Sequence, residues 1–226
     1  MGRTRPDRNF VCGAVLLLAA AGAAWATEAD DLVQMAWAGD LEGISRLVEA
    51  GVDVDARNKD GSTALVLAAS FRGYEDVVEL LVSKGADVNA TASDGTSPLM
   101  AAAKVSKKGT EFLLSKGADV QARSADGATA LLHCVMGNLE GQDRLDVAEI
   151  LLSKGADVDH ALAGGATALM IAAGMGELEL VRFLVSKGAD VGAARGQDGK
   201  TALDLAAEEG HADVVAFLKS KSKTKD

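Results

Sequence analysis

The chain has 226 residues, 48% of them hydrophobic, with Gly 25 and only Pro 2, a balance that excludes a disordered polymer and a proline-rich linker. Aromatic residues make up only 4%, so a core must be filled mainly by Ala, Leu and Val, which suits thin layers of closely approaching helices. The net charge of -10 repels phosphate backbones, which disfavours nucleic acid and favours the approach of a basic protein surface.

The first segment follows export logic. Arg3, Arg5 and Arg8 precede an apolar run from Phe10 to Ala24, and Ala24-Trp25-Ala26 supplies small residues where a signal peptidase cuts. Residues 1–26 are therefore expected to be a cleaved signal peptide, with the mature chain periplasmic or secreted and without a membrane span. The run is short for a bilayer, although an uncleaved anchor stays open as the alternative. Lipid attachment at Cys12 is disfavoured, because Asn9-Phe10-Val11 lacks the small residues it needs. Cleavage removes three Arg and one Asp, leaving 20 basic and 32 acidic side chains, a net charge of -12.

Beyond it, one phrase recurs: Gly51-Val52-Asp53-Val54, Gly85-Ala86-Asp87-Val88, Gly117-Ala118-Asp119-Val120, Gly155-Ala156-Asp157-Val158 and Gly188-Ala189-Asp190-Val191. Successive glycines lie 34, 32, 38 and 33 residues apart, which defines a unit of about 33 residues with one deletion and insertions. A second phrase keeps the same period, as in Asp60-Gly61-Ser62-Thr63-Ala64-Leu65, Asp126-Gly127-Ala128-Thr129-Ala130-Leu131 and Asp198-Gly199-Lys200-Thr201-Ala202-Leu203. Asp-Gly supplies the positive φ of a tight turn, and the following Thr or Ser caps a helix N-terminus. Leu65 with Ala68-Ala69, or Leu203 with Ala206-Ala207, gives that helix a narrow face that a neighbouring helix can approach closely. A glycine such as Gly73, Gly176 or Gly210 ends it. A second periodic helix follows, as in Val77–Leu81 and Leu180–Leu184, and closes at the Gly of Gly-Ala-Asp.

These phrases resemble the ankyrin repeat, most closely in Asp-Gly-x-Thr-Ala-Leu-x-x-Ala-Ala and Gly-Ala-Asp-Val-Asn-Ala. The resemblance implies an all-α repeat solenoid of about six helix-turn-helix units joined by short β-hairpin-like loops. The repeat domain is expected over residues 27–220, as units of about 28–57, 58–91, 92–123, 124–161, 162–194 and 195–220. Residues 221–226 follow as a basic tail, part of a solvated run from Lys219 to Lys225. The pattern is not perfect. The Pro that follows the capping residue in the family survives only as Pro98, and the His two residues later is Val66, Met100, Leu132, Met170 or Asp204, so the hydroxyl-imidazole network is largely lost. Unit three reads as locally soft, because Val105-Ser106-Lys107-Lys108-Gly109 shortens its inter-helix turn. Unit four carries an insertion at about residues 137–143, expected to lie on an exposed face.

Catalysis needs several competent groups brought together, but the mature chain has one Cys, three His and no metal-ligand spacing. No enzymatic activity, cofactor or metal is expected. Cys134 stands where other units have paired Ala and reads as a small buried hydrophobe. His133 reads as packed or at an edge, and His211 takes the Gly-His turn position of ankyrin-like repeats. The many Asp residues read as turn formers rather than calcium ligands.

What the repeat does not fix is expected to carry specificity. In the resemblance, a concave groove holds a protein partner and is lined by hairpin tips and first-helix ends. The tips offer Arg57, Lys59, Ser93, Ala125, Ala163 and Gln197. The helix ends offer Trp37, Phe71, Val105, Met136 and Met175 in succession, then Glu208-Glu209, with Arg72, Lys104 and Asn138 beside them. Trp37 and Phe71 are the candidate aromatic anchors, with burial beneath a neighbouring turn as the competing reading. Phe112, Phe183 and Phe217 share a second-helix position and read as core. The expected function is an exported, monomeric interaction module that scaffolds or regulates a protein partner with a basic surface. The alternative is a stoichiometric inhibitor or immunity-type protein for an enzyme or toxin; an enzyme or metal binder would need a clustered site that the sequence lacks.

Overall fold

A computed structural model of the chain describes residues 28–196 and 198–222. The expected signal segment, Gln197 and the last residues of the tail, Lys223 and Lys225 among them, lie outside the described residues. Among the described residues twelve α-helices follow in pairs: α1 (Glu28–Ala38) and α2 (Leu41–Glu49), α3 (Ala64–Ala69) and α4 (Glu75–Ser83), α5 (Pro98–Ala103) and α6 (Lys107–Ser115), α7 (Ala130–Met136) and α8 (Gly141–Ser153), α9 (Ala168–Gly174) and α10 (Leu178–Ser186), α11 (Ala202–Glu208) and α12 (Ala212–Ser222). The only β pairing among those residues is two isolated antiparallel bridges, Ala161 with Thr167 and Ala194 with Thr201. The chain is an all-α repeat solenoid. Its residues gather into two compact units, one ending at Asp119 and one beginning at Val120.

The second repeat shows how the sequence builds one layer. Asn58 folds the loop back on itself: its Oδ1 accepts from the N–H groups of Asp60 and Ser62 at 3.1 and 2.9 Å. Gly61 donates to the Asn58 carbonyl at 2.8 Å with φ at 79°, a left-handed conformation that L side chains rarely adopt. Thr63 then caps α3 by accepting from the Val66 N–H at 3.2 Å, which satisfies one of the free donors of the first turn. Ser97 and Thr167 cap α5 and α9 in the same way. After α4, Ala86 donates to Leu81 at 3.0 Å across Gly85, closing the helix through a left-handed glycine.

Packing follows from the small residues. Within the first unit α1, α3 and α5 pack in succession and each also packs on its own partner, α2, α4 or α6; within the second, α7, α9 and α11 do the same with α8, α10 and α12. Leu65, Leu99, Leu131 and Leu169 are fully buried, as are Ala68, Ala102, Ala172 and Ala206. In the last repeat Leu203 is only half-buried and Ala207 is exposed, the polar-capped outer layer that a solenoid end requires.

Two features differ from the sequence-based expectations, the burial of three Phe and the placement of the unit-four insertion. Phe112, Phe183 and Phe217 are half-buried rather than core. Each ring lies at the layer edge with a lysine one turn further on over it, Lys116, Lys187 and Lys221, at 5.4, 5.3 and 5.5 Å from the centroid. The aliphatic stem and the charge together do what burial would have done. The shortened turn of unit three is closed by side chains: Ser106 caps α6 by accepting from Gly109 N–H at 3.0 Å and donates to Glu75 Oε1 at 2.7 Å. Gly109 leaves room for it, since a Cβ there would come within 3.3 Å of Ser106 Oγ, a tight contact. The insertion of unit four lies only partly on the surface. It lengthens α8 to 13 residues against 9 in α4, α6 and α10, and Leu139 within it is 1% exposed.

Candidate functional site

In the unit ending at Asp119, the first-helix ends gather side chains from neighbouring repeats. Trp37 is 41% exposed at the end of α1. Tyr74, which opens the second helix of the next repeat, donates its hydroxyl to the Trp37 carbonyl at 2.8 Å and is itself almost fully buried. The Phe71 ring stacks on Tyr74 with centroids 5.3 Å apart, so it is half-buried beneath that turn. Arg72 is exposed and reaches forward to the Val105 carbonyl through Nε at 3.3 Å, beside the exposed Lys104 and a half-buried Val105. At the loop tips, Arg57 Nε donates to the Thr91 carbonyl at 3.0 Å, Lys59 N–H to Asp30 Oδ1 at 3.0 Å and Ser93 N–H to the Gly61 carbonyl at 2.8 Å. Arg57, Lys59 and Ser93 are all exposed.

In the unit beginning at Val120, Met136 and Met175 are 38% and 46% exposed at the ends of α7 and α9. Asn138 is exposed in the insertion. His211 occupies the position that Tyr74 holds in the other unit: its Nε2 donates to the Gly174 carbonyl at 3.0 Å, tying consecutive first-helix ends together. Glu208 and Glu209 are exposed, with Glu208 Oε2 2.8 Å from Lys200 Nζ. Loop tips hold each other here as well, with Ala163 N–H on the Asp126 carbonyl at 3.0 Å and His160 Nε2 on the Gly127 carbonyl at 2.8 Å. Ala125 and Ala163 are exposed at those tips.

Two residues that matter at this surface drew no attention in the sequence. Tyr74 is one; its signal is the Gly-aromatic dipeptide Gly73-Tyr74, parallel to Gly210-His211. Arg144 is the other: an arginine 8% exposed, with Nε 2.8 Å from the Leu139 carbonyl and Nη1 3.0 Å from Glu177 Oε1. Nothing local in the sequence marks a surface-type residue as buried.

The chemistry of these surfaces is recognition chemistry. Burial pushes the Cys134 thiol up to about 12, which removes the thiolate that nucleophilic or metal-ligand roles require. Among the described residues no group of three or more His, Cys, Asp and Glu is placed to hold a metal ion, and no helix is long and apolar enough to cross a membrane. The loop Asp and Asn side chains work as scaffold: Asp55 accepts from the Asp87 N–H at 3.0 Å, Asn89 from the Asp119 N–H at 2.8 Å and Asp159 from the Asp190 N–H at 2.8 Å. Burial raises the Asp55 carboxyl despite that hydrogen bond.

Recurring helix pairs, their first helices mostly opened by Thr or Ser, closed by left-handed glycines and joined through loop Asp and Asn side chains, define a helical repeat protein whose scaffold positions recur and whose helix ends vary. The chain belongs to the ankyrin repeat family, whose description, ankyrin repeats in three copies, matches residues 32–124, 91–161 and 140–226. A search of the curated proteins found no match. Among solved structures the chain is similar to the immunity protein in the complex of the Bd0816 predatory endopeptidase from Bdellovibrio bacteriovorus with immunity protein Bd3460. The match has 30% identity and a TM-score of 0.74, and covers 84% of this chain and 97% of that one. Ankyrin repeats bind proteins, and the chain is a protein–protein interaction module.

Proposed function

We propose that the chain is an exported, non-catalytic regulator that occupies a protein partner one to one through its first-helix ends and loop tips, in the periplasm or outside the cell. The observation that carries this reading is the exposure of the large apolar side chains Trp37, Met136 and Met175 at the ends of first helices. Large apolar side chains left in water at helix ends offer the kind of surface that a protein partner covers. The export part rests on the basic, apolar and Ala-Trp-Ala order of residues 1–26.

The alternative to a scaffold, a stoichiometric inhibitor of a specific hydrolase, is favoured by the likeness to an immunity protein over 97% of that protein's length. Such a role matches an acidic mature chain that draws a basic target in rapidly. The test is affinity capture from the exported fraction, followed by titration of the captured protein's own activity. Loss of activity with a break at one equivalent supports the inhibitor. A captured protein whose activity is unchanged supports the scaffold. A chain found only in the cytoplasm, or one that captures no protein, contradicts the proposal.

A further inference from the structure

The insertion of the fourth repeat is the one segment that the repeat itself does not require, yet it is fastened in place. Arg144 holds it from below: Nε donates to the Leu139 carbonyl at 2.8 Å, Nη2 to the Gly137 carbonyl at 3.5 Å, and Nη1 pairs with Glu177 Oε1 at 3.0 Å. Cys134 Sγ lies 3.5 Å from the Arg144 carbonyl, and Leu139 is buried. A solvated loop would need none of these contacts. Taking a guanidinium out of water is costly, and what these contacts supply in return is one fixed arrangement of the insertion.

The fixed arrangement sets a particular chemistry at the surface. Outward from the clasp, Asn138, Glu140, Gln142 and Asp143 are exposed beside the thioether of Met136. The Arg144–Glu177 pair brings this edge to the turn that follows Met175, and the His211–Gly174 bond adds the end of α11 with Glu208 and Glu209. Two exposed thioethers thus share this edge with the exposed carboxylates of Glu140, Asp143 and Glu209, while Glu177 is paired with Arg144. The cations at this edge are already engaged: Arg144 is buried and Lys200 faces Glu208.

We propose that this edge is the specificity-determining element of the unit beginning at Val120, and that its occupant is a cationic-apolar segment of the partner protein, a leucine-sized or aromatic side chain flanked by arginine or lysine. The assignment rests on the protein-binding reading above and names its partner chemistry. Methionine side chains adapt to varied apolar shapes, carboxylates without a spare local cation complement positive charge, and a loop fastened beforehand need not be ordered on binding. Arg144 is then a positioning residue: it touches no partner but keeps the carboxylate and thioether groups in one geometry.

The test is titration of the purified chain with two labelled peptides of equal length, each with a central Leu-Leu pair, flanked by arginines in one and by glutamates in the other. The arginine peptide is expected to bind at least about tenfold more tightly, with affinity falling as salt is raised. Met136→Ser with Met175→Ser, and separately Glu140→Gln with Asp143→Asn, are each expected to weaken it about tenfold, while Glu111→Gln, exposed on the second helix α6, leaves it unchanged. Arg144→Lys is expected to narrow the ratio between the two peptides. Partial unfolding could not do that, since it lowers the active fraction for both alike. Equal affinity for the two peptides, no binding of either by the folded chain, or loss on Glu111→Gln with the other variants silent overturns the assignment. If the chain still captures an exported protein in that case, the protein-binding reading stands and this edge is excluded from it. If the peptides are discriminated but no exported protein is captured, the edge stands and the proposed regulatory role fails.

Discussion

At the scale of single residues, equivalent positions do unequal work. Thr63 and Thr129 both cap first helices, but Thr63 Oγ1 accepts a backbone N–H at 3.2 Å, whereas Thr129 Oγ1 is buried without a hydrogen-bond partner. A used cap stabilises by about 1 kcal/mol, and a buried hydroxyl without a partner costs a similar amount. Thr63→Val should therefore destabilise by about 1 kcal/mol, and Thr129→Val should be neutral or stabilising by up to about 1 kcal/mol. Urea unfolding of the two variants checks this; equal losses would mean that the hydroxyls are equivalent. The sequence shows the capping residues because Asp-Gly-x-Thr states the turn and its cap directly. It could not show which cap is satisfied, since that depends on ångström-scale placement. Asp204 is a case that could be read in part. It replaces the imidazole of the family pattern, and its Oδ2 accepts from both the N–H and the hydroxyl of Thr201, at 2.9 and 2.7 Å, so a polar network is rebuilt with a carboxylate.

At the scale of elements, the last repeat and the fourth differ from the rest in how they are held. Asp198 accepts from Arg195 Nε at 3.0 Å, and the Arg195 hydrogen bonds hold its carboxyl down at about 2. The Thr201 N–H and hydroxyl lower Asp204 as well. Both carboxyls bind protons more weakly folded than unfolded. The Asp198 contribution is therefore present above the ordinary carboxylate value of 3.8 and is lost as pH falls toward about 2, and that of Asp204 is lost in the same direction below 3.8. Asp31 and Asp55 in the other unit are raised, chiefly by burial, and act with the opposite sign: protonation favours their folded state. Acidification should thus loosen the loop and cap of the last repeat, with carboxyl NMR showing Asp198 titrating near 2; titration near 3.8 would contradict this. In the fourth repeat, Arg144→Met should cost about 2–3 kcal/mol because it leaves buried carbonyls without a donor. Glu177→Gln should cost under about 1 kcal/mol, since that carboxylate is half in water. Thermal unfolding of both variants separates the two effects; similar losses would show that the ion pair, not the carbonyl contacts, holds the insertion. The repeat period made the helix pairs legible, and the 38-residue spacing made the insertion visible. Its anchoring was not legible, because an arginine in an acidic stretch reads as surface until the Leu139 and Gly137 carbonyls are seen around it.

At the scale of the whole molecule, sequence and surface divide the labour. Residues that recur at a fixed beat make layers, and those that do not are left at helix ends where apolar and acidic groups meet water. The apolar row was readable by aligning repeats, but the alignment treats Trp37, Phe71, Val105, Met136 and Met175 alike. The structure separates them by burial: Phe71 and Val105 are half-covered by neighbouring turns, whereas Trp37, Met136 and Met175 remain exposed. Under the proposed function a protein partner covers these helix ends. Hydrogen exchange of the chain, alone and with its captured partner, measures this directly. The prediction is added protection at residues 37–40, 71–74, 136–143, 174–177 and 208–211, with the second helices unchanged. Protection confined to the second helices, or none at these turns, would contradict it.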